Sequence, residues 1–354
     1  MAKQTYYEQH NEELYLKFND LLDKLPYFCG EYFTGVDMRT SVLTKLNYAT
    51  DFAVFFDFLV HKIRGFVGKD VTDITLQDLN EYVDASVIEY FLRYLSFYSF
   101  NGKPHRNGEK AKARKLSAIR SLFKYFYNKD KLKENVASKV SMPKLHEKTI
   151  VRLNSDEVDD MLELAEAENK FNTSFRDKYN LNARERDIAI LTLMLGTGIR
   201  VSECVGINVD DVDMKNMAFK VTRKGGNMSV LYFSEEVRDA LDAYMDWRKK
   251  RLMQAGLYTD VEALFISLQN KRITVRAVEN IVKKYTGLAN PLKSVSPHKL
   301  RSTYGTALYR ETKDIYMVAE VLGHRDVNTT KKHYAALDED IKREASSKVV
   351  LRKK

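Results

Sequence analysis

A mainly α chain of two domains is what this sequence predicts: an all-helical N-terminal half, then a mostly helical C-terminal half with one small antiparallel sheet. Three observations carry that prediction. At 354 residues the chain exceeds one ordinary compact core. Its 15 Gly and 5 Pro are few for a sandwich of short strands and turns. Apolar residues recur at three- and four-residue spacing in the long segments, whereas two β-patterned runs flank the pair Gly225-Gly226.

In the N-terminal half, Leu46, Phe52, Phe55, Phe56 and Leu59 fall on one helical face, with Thr40 or Ser41 available as the N-cap. A second helix is expected from about Leu76 to Tyr98, its inner face made by Leu79, Val83, Val87, Phe91, Leu92 and Leu95. A third, Glu109 to Tyr127, turns Leu116, Ile119, Phe123 and Phe126 inward. Its other face is expected to carry Lys112, Lys115, Arg120 and Lys124, either as a solvated basic face or as a surface laid along DNA. From Lys133 to Arg152 the helical pattern lapses and Pro143 interrupts a polar, basic stretch. That composition is an interdomain linker's, so the domains are read as 1–148 and 149–354.

The formal net charge is +9 and the pI about 9.1, which suits a polyanionic partner. Between Lys103 and Lys148 stand 14 Lys or Arg against 4 Asp or Glu, a local excess of the kind that neutralises phosphates. No apolar run reaches the 18 or so residues of a membrane span, and the N-terminus does not read as a secretory signal, so a cytoplasmic protein is expected. The 2 cysteines, Cys29 and Cys204, lie in different predicted domains without C-x-x-C spacing. They are expected to be buried thiols rather than a disulfide or a zinc site.

The C-terminal half opens with a helix at Asn154 or Ser155, where Asp156 and Glu157 complement the dipole. An apolar helix from Arg186 stops at Gly196-Thr197-Gly198, and Arg200 follows at the mouth of a short helix. There it either holds a phosphate together with the helix N-terminus or pairs with Glu203 on the surface. Lys224 sits at the hairpin tip, as a proton donor or phosphate contact, or as an edge-protecting charge. Ser296-Pro297 reads as an N-cap and first helical residue, after which His298 and Arg301 stand three apart. His324 follows a glycine break, and Tyr334 lies ten residues further on.

Singly these are weak signals, but together they supply what phosphodiester strand transfer needs. Two guanidinium forks stabilise charge developing on phosphorus. Lysine and imidazole groups can move protons or contact the phosphate, and a tyrosine hydroxyl serves as nucleophile.

The strings Gly-Thr-Gly-Ile-Arg200-Val-Ser-Glu, His298-Lys-Leu-Arg301, Leu-Gly-His324 and Asn-Thr-Thr-Lys-Lys-His-Tyr334 resemble, in order and spacing, the signature boxes of the phage-integrase-type tyrosine recombinases. Similarity is greatest to the Xer branch, which resolves chromosome dimers, and the tyrosine-rich N-terminal part resembles the single-enzyme XerH kind. The resemblance implies a C-shaped clamp of a core-binding and a catalytic domain around paired half-sites. It implies a tetramer on two sites that exchanges its C-terminal tails and works through a Holliday junction. No metal or nucleotide cofactor is implied; a DNA translocase of the FtsK type is a further implied partner, and the nucleoid the implied location. By the same resemblance Tyr334 attacks the scissile phosphate to leave a 3′-phosphotyrosine, Lys224 protonates the departing 5′-oxygen and His298 accepts the tyrosine proton. Arg200, Arg301 and His324 hold the phosphoryl oxygens. Other roles with the same residues are a mobile-element integrase, a topoisomerase-like nicking-closing enzyme, or a clamp that binds without cutting. The polar stretch 166–184 is longer than the family's usual turn at that place.

Overall fold

The computed structural model describes residues 5–144, 152–167, 183–223, 226–257, 261–293, 295–323 and 327. The chain divides into two compact units, 1–148 and 149–354. Among the described residues no helix is long and apolar enough to cross a membrane.

The N-terminal unit is built on helices α1 (Tyr6–Leu22), α2 (Phe28–Val36), α3 (Val42–Lys62), α4 (Leu76–Tyr82), α5 (Ala85–Tyr94), α6 (Glu109–Tyr127) and the single turn α7 (Val136–Lys139). Ser41 caps α3 by accepting the Thr44 N–H, and Thr75 and Asp78 form a reciprocal capping box on α4. The core is dense in phenylalanine. Phe28 meets Phe126 edge-on at 5.5 Å between ring centres and Phe55 meets Phe91 at 5.1 Å, the arrangement that ring quadrupoles favour.

Three details depart from the reading of the sequence. The helix expected over 76–98 is two helices, because Asp84 leaves helical geometry and caps α5 through the Val87 N–H. The chain then forms a hairpin, β1 (Tyr98–Phe100) with β2 (Lys103–His105), so the unit is not wholly helical. Residues 133–140, read as the start of the linker, pack into the unit's core, where Ala137 and Val140 are buried.

The expected basic face of α6 is also corrected. Lys115 lies on the same stripe as buried Ala118 and Leu122; it is only 4% exposed, and its Nζ is 2.7 Å from Oδ1 of Asp51, itself fully buried. Arg114 reaches the other Asp51 oxygen. Arg120 turns inward to the carbonyls of Ala137 and Val140, tying α7 to α6. Lys112 is half-buried and donates to Ser96 Oγ, which leaves Lys124 as the exposed member of the four. Burial pushes the Asp51 carboxyl up, against the pull of Lys115 and Arg114. Removing a partner from such a pair leaves an uncompensated buried charge, at a cost of about 3–5 kcal/mol. Asp51→Ala should therefore lower the unit's thermal midpoint by on the order of 10 °C; an unchanged melting curve would show that Lys115 finds water without it.

The second unit comprises α8 (Ser155–Glu166), α9 (Arg184–Thr197), α10 (Val201–Gly206), α11 (Glu235–Gln254), α12 (Val275–Ala289), α13 (Pro297–Thr312) and α14 (Ile315–Leu322). Strands β3 (Val212–Asp213), β4 (Ala218–Thr222) and β5 (Met228–Tyr232) form one antiparallel sheet in sequence order, with Thr222 opposite Met228. Helix α9 packs against α8, α11 and α13, and Ala189, Ile190, Leu191, Leu193 and Met194 are all buried. A helix buried around most of its girth is the framework from which the site is hung. Both cysteines are free and buried, and burial raises both thiols, that of Cys204 to about 12.

Candidate active site

The site begins where α9 stops. Gly198 takes φ +62°, and a Cβ there would lie 2.4 Å from the Tyr304 ring, so both the left-handed turn and the close packing require glycine. The chain reverses through Ile199 and delivers Arg200 as the N-cap of α10. Its side chain donates from Nη1 to Glu203 Oε1 at 2.7 Å and from Nη2 to the Gly323 carbonyl at 3.2 Å. Glu203 Oε2 accepts the Arg200 backbone N–H at 3.0 Å. The N-terminus of α10 thus already holds a carboxylate, and the guanidinium rather than the helix end remains for a phosphate. Nor is the pair a surface one, since Glu203 is 2% exposed.

From α13 comes Arg301. Pro297 occupies the first turn, His298 is exposed beside it, and Arg301 is buried one turn on. The Arg301 guanidinium bridges two helix ends, donating to the carbonyls of Gly198, after α9, and Leu322, at the end of α14. A cation at two carboxyl-terminal ends is favoured by both dipoles.

A third guanidinium, not anticipated from the sequence, joins them. Arg223, immediately after β4, reaches Glu203 Oε2 at 3.3 Å and the Val321 carbonyl at 3.0 Å. Three consecutive carbonyls at the end of α14 thus each receive an arginine: Val321 from Arg223, Leu322 from Arg301 and Gly323 from Arg200. Gly323 has φ +60°, and a Cβ on it would stand 3.1 Å from Arg223 Cζ, so the close approach again depends on glycine. No local sequence signal marks Arg223, because its partners are 20 and 98 residues away.

Charge counting shows what the cluster suits. Three arginines against Glu203 leave two positive charges, and two helix carboxyl ends contribute about half a negative charge each. Among the described residues a net positive charge remains, the sign that suits a phosphate. The structure brings together Arg200 and Arg301 of the six expected residues and sets His298 one turn from Arg301. Lys224, His324 and Tyr334 lie outside the described residues, as do the tail 338–354 and most of the 166–184 stretch.

Guanidinium groups gathered around a buried glutamate and the end of a helix suit a site for an anion such as a phosphodiester. Residues 151–340 match the phage integrase family. A tyrosine recombinase XerC of Caldanaerobacter subterraneus subsp. tengcongensis is 34% identical over 323 residues, 90% of this chain and 84% of its own. A tyrosine recombinase XerS of Streptococcus uberis is 30% identical over 333 residues, 86% of this chain and 90% of its own. The XerH recombinase bound to a palindromic difH substrate, in its post-cleavage complex, shares the fold with a TM-score of 0.63 at 18% identity, over 86% of this chain and 80% of that one. This chain belongs to the phage integrase family of tyrosine recombinases, which are site-specific DNA recombinases.

Proposed function

We propose that this recombinase resolves chromosome dimers at a dif-like site, cutting and rejoining each strand through Tyr334. The observation that carries the chemistry is the row of three arginines on the carbonyls 321–323, directly ahead in the chain of His324 and Tyr334. In this reading Arg200 and Arg301 bind the non-bridging oxygens and offset charge as the phosphorane forms. His298 accepts the Tyr334 proton, Lys224 gives one to the departing 5′-oxygen, and His324 supports the phosphoryl group. The phosphotyrosine conserves the energy of the broken ester, so rejoining needs no nucleotide. The Xer names of its relatives support dimer resolution as the setting.

Two duplexes present four strands at a crossover and each tyrosine cuts one, so four copies assemble on paired half-sites and pass through a Holliday junction. The tail, with Val349, Val350 and Leu351 too few for a core of their own, docks on the neighbouring subunit. The protein works in the cytoplasm at the nucleoid, with a translocase of the FtsK type as a further partner. Of the basic residues of α6, Lys124 and Lys112 contact phosphates, whereas Lys115 and Arg120 are structural.

The reading is tested by trapping the protein on genomic DNA in excess EDTA without ATP, then sequencing the attached fragments. Since guanidinium groups supply the electrostatic role that metals fill in many nucleases, covalent complexes should form there and map to one short palindromic site per chromosome. Attachment only in the presence of Mg²⁺ would overturn the mechanism, and attachment at element ends would move the role to an integrase. For α6, Lys124→Ala should lower the slope of log affinity against log salt by about one unit. Lys115→Ala should leave that slope alone, and equal slopes for Lys124→Ala and the parent would remove Lys124 from the interface.

A further inference from the structure

Among the described residues, Arg223 ties the end of β4 to the arginine cluster by side-chain hydrogen bonds. Its backbone closes the turn: the N–H donates to the Asn227 carbonyl at 2.7 Å and its carbonyl accepts from the Gly226 N–H at 3.0 Å. Its side chain leaves the hairpin and fastens to Glu203 and to the Val321 carbonyl. The side chain is 10% exposed, and among the described residues its Nε is buried without a hydrogen-bond partner. A surface lysine or arginine at a hairpin tip does none of this; it stays in water. Burying a guanidinium with one donor unmatched costs stability, and the ties it makes here hold two elements in register rather than simply solvating a charge.

We propose that Arg223 is a positioning residue for the proton donor. It locks the end of β4 to the node formed by Glu203, Arg200 and the end of α14, and so fixes the chain immediately before Lys224, the donor of the proposed mechanism. The inference rests on the proposed role of Lys224. In that step the Tyr334 oxygen bonds to phosphorus as its proton passes to His298, the bond from phosphorus to the 5′-oxygen breaks, and that oxygen takes a proton from Lys224. Misplacing a donor by about 1 Å costs about 100-fold in rate.

The chemistry separates this role from mere support of the fold. In a suicide oligonucleotide whose bridging 5′-oxygen is replaced by sulfur, the leaving group departs as a thiolate and needs no proton. On ordinary DNA, Arg223→Ala should cleave about 100-fold more slowly than the parent in single turnover with unchanged DNA affinity. On the sulfur substrate it should return to within a few-fold of the parent, as should Lys224→Ala, whereas Arg200→Ala should stay slow on both. Arg223→Lys, which keeps charge but not the fork, should fall between on ordinary DNA and be rescued likewise. Rescue of Lys224→Ala but not of either Arg223 variant overturns the inference and leaves the donor in place. Failure to rescue Lys224→Ala removes Lys224 as donor, and the inference with it. An Arg223→Ala rate equal to the parent's on ordinary DNA also overturns it.

Discussion

Tyr334→Phe is expected to bind its site like the parent and to form no covalent adduct. In the proposed mechanism, loss of the hydroxyl removes the attacking atom and leaves the arginines assigned to the phosphate untouched. Cleavage should fall by a factor on the order of 10⁴ or more, the usual scale for deleting a nucleophile. Activating that hydroxyl is within the means of the site. A phenol of pKa about 10 sits some three units from neutrality, a cost of about 4 kcal/mol. One cation about 4 Å from the phenolate, at an effective dielectric constant near 20, contributes about the same amount. In the proposed mechanism His298 carries the phenol proton away. Single-turnover cleavage of a nicked oligonucleotide, with adducts resolved on a denaturing gel, measures this; an adduct formed by Tyr334→Phe would assign the nucleophile to another residue.

What was legible in the sequence is what local pattern encodes. The α3 face and its Ser41 cap, the capping of α8 by Asn154, the stop at Gly198 and the β4–β5 hairpin all depend on residues within a few positions of one another. The β1–β2 hairpin carried a local signal too. Asn101-Gly102 is the dipeptide that a two-residue turn prefers, and both residues have positive φ, at 50° and 70°. It was hidden by the helical spacing that runs up to Leu95. Lys115 misled for a different reason, because its place on α6 fits either face and only Asp51, 64 residues earlier, decides that it goes inside. The arginine cluster is the limiting case. Arg200 and Arg301 were found through their motifs, whereas Arg223 and the shared carboxylate of Glu203 acquire meaning only when β4, α10 and α14 meet.

Arg301→Ala should have the second largest effect, because the proposed mechanism gives Arg301 a chemical task beside its structural one. It is 3% exposed and its guanidinium satisfies the carbonyls of Gly198 and Leu322. Alanine leaves those two acceptors facing a void, at about 1–3 kcal/mol each if water does not reach them. It also removes one of the two donors assigned to the phosphoryl oxygens, for which loss of a preorganised donor costs about 10²–10³ in rate. The two consequences separate under test. Arg301→Lys keeps a positive charge but cannot span both carbonyls, so it should lower the thermal midpoint while retaining more cleavage than alanine. DNA affinity should change little in either variant, since the charge acts chiefly on the pentavalent phosphorus and most binding comes from phosphates elsewhere. A methylphosphonate at the scissile position lacks the negative oxygen that the guanidinium offsets, so Arg301→Ala should recover rate on that substrate without recovering stability. If alanine at 301 melts early but cleaves ordinary DNA at the parent's rate, Arg301 is a strut between α9 and α14 and no part of the phosphate site.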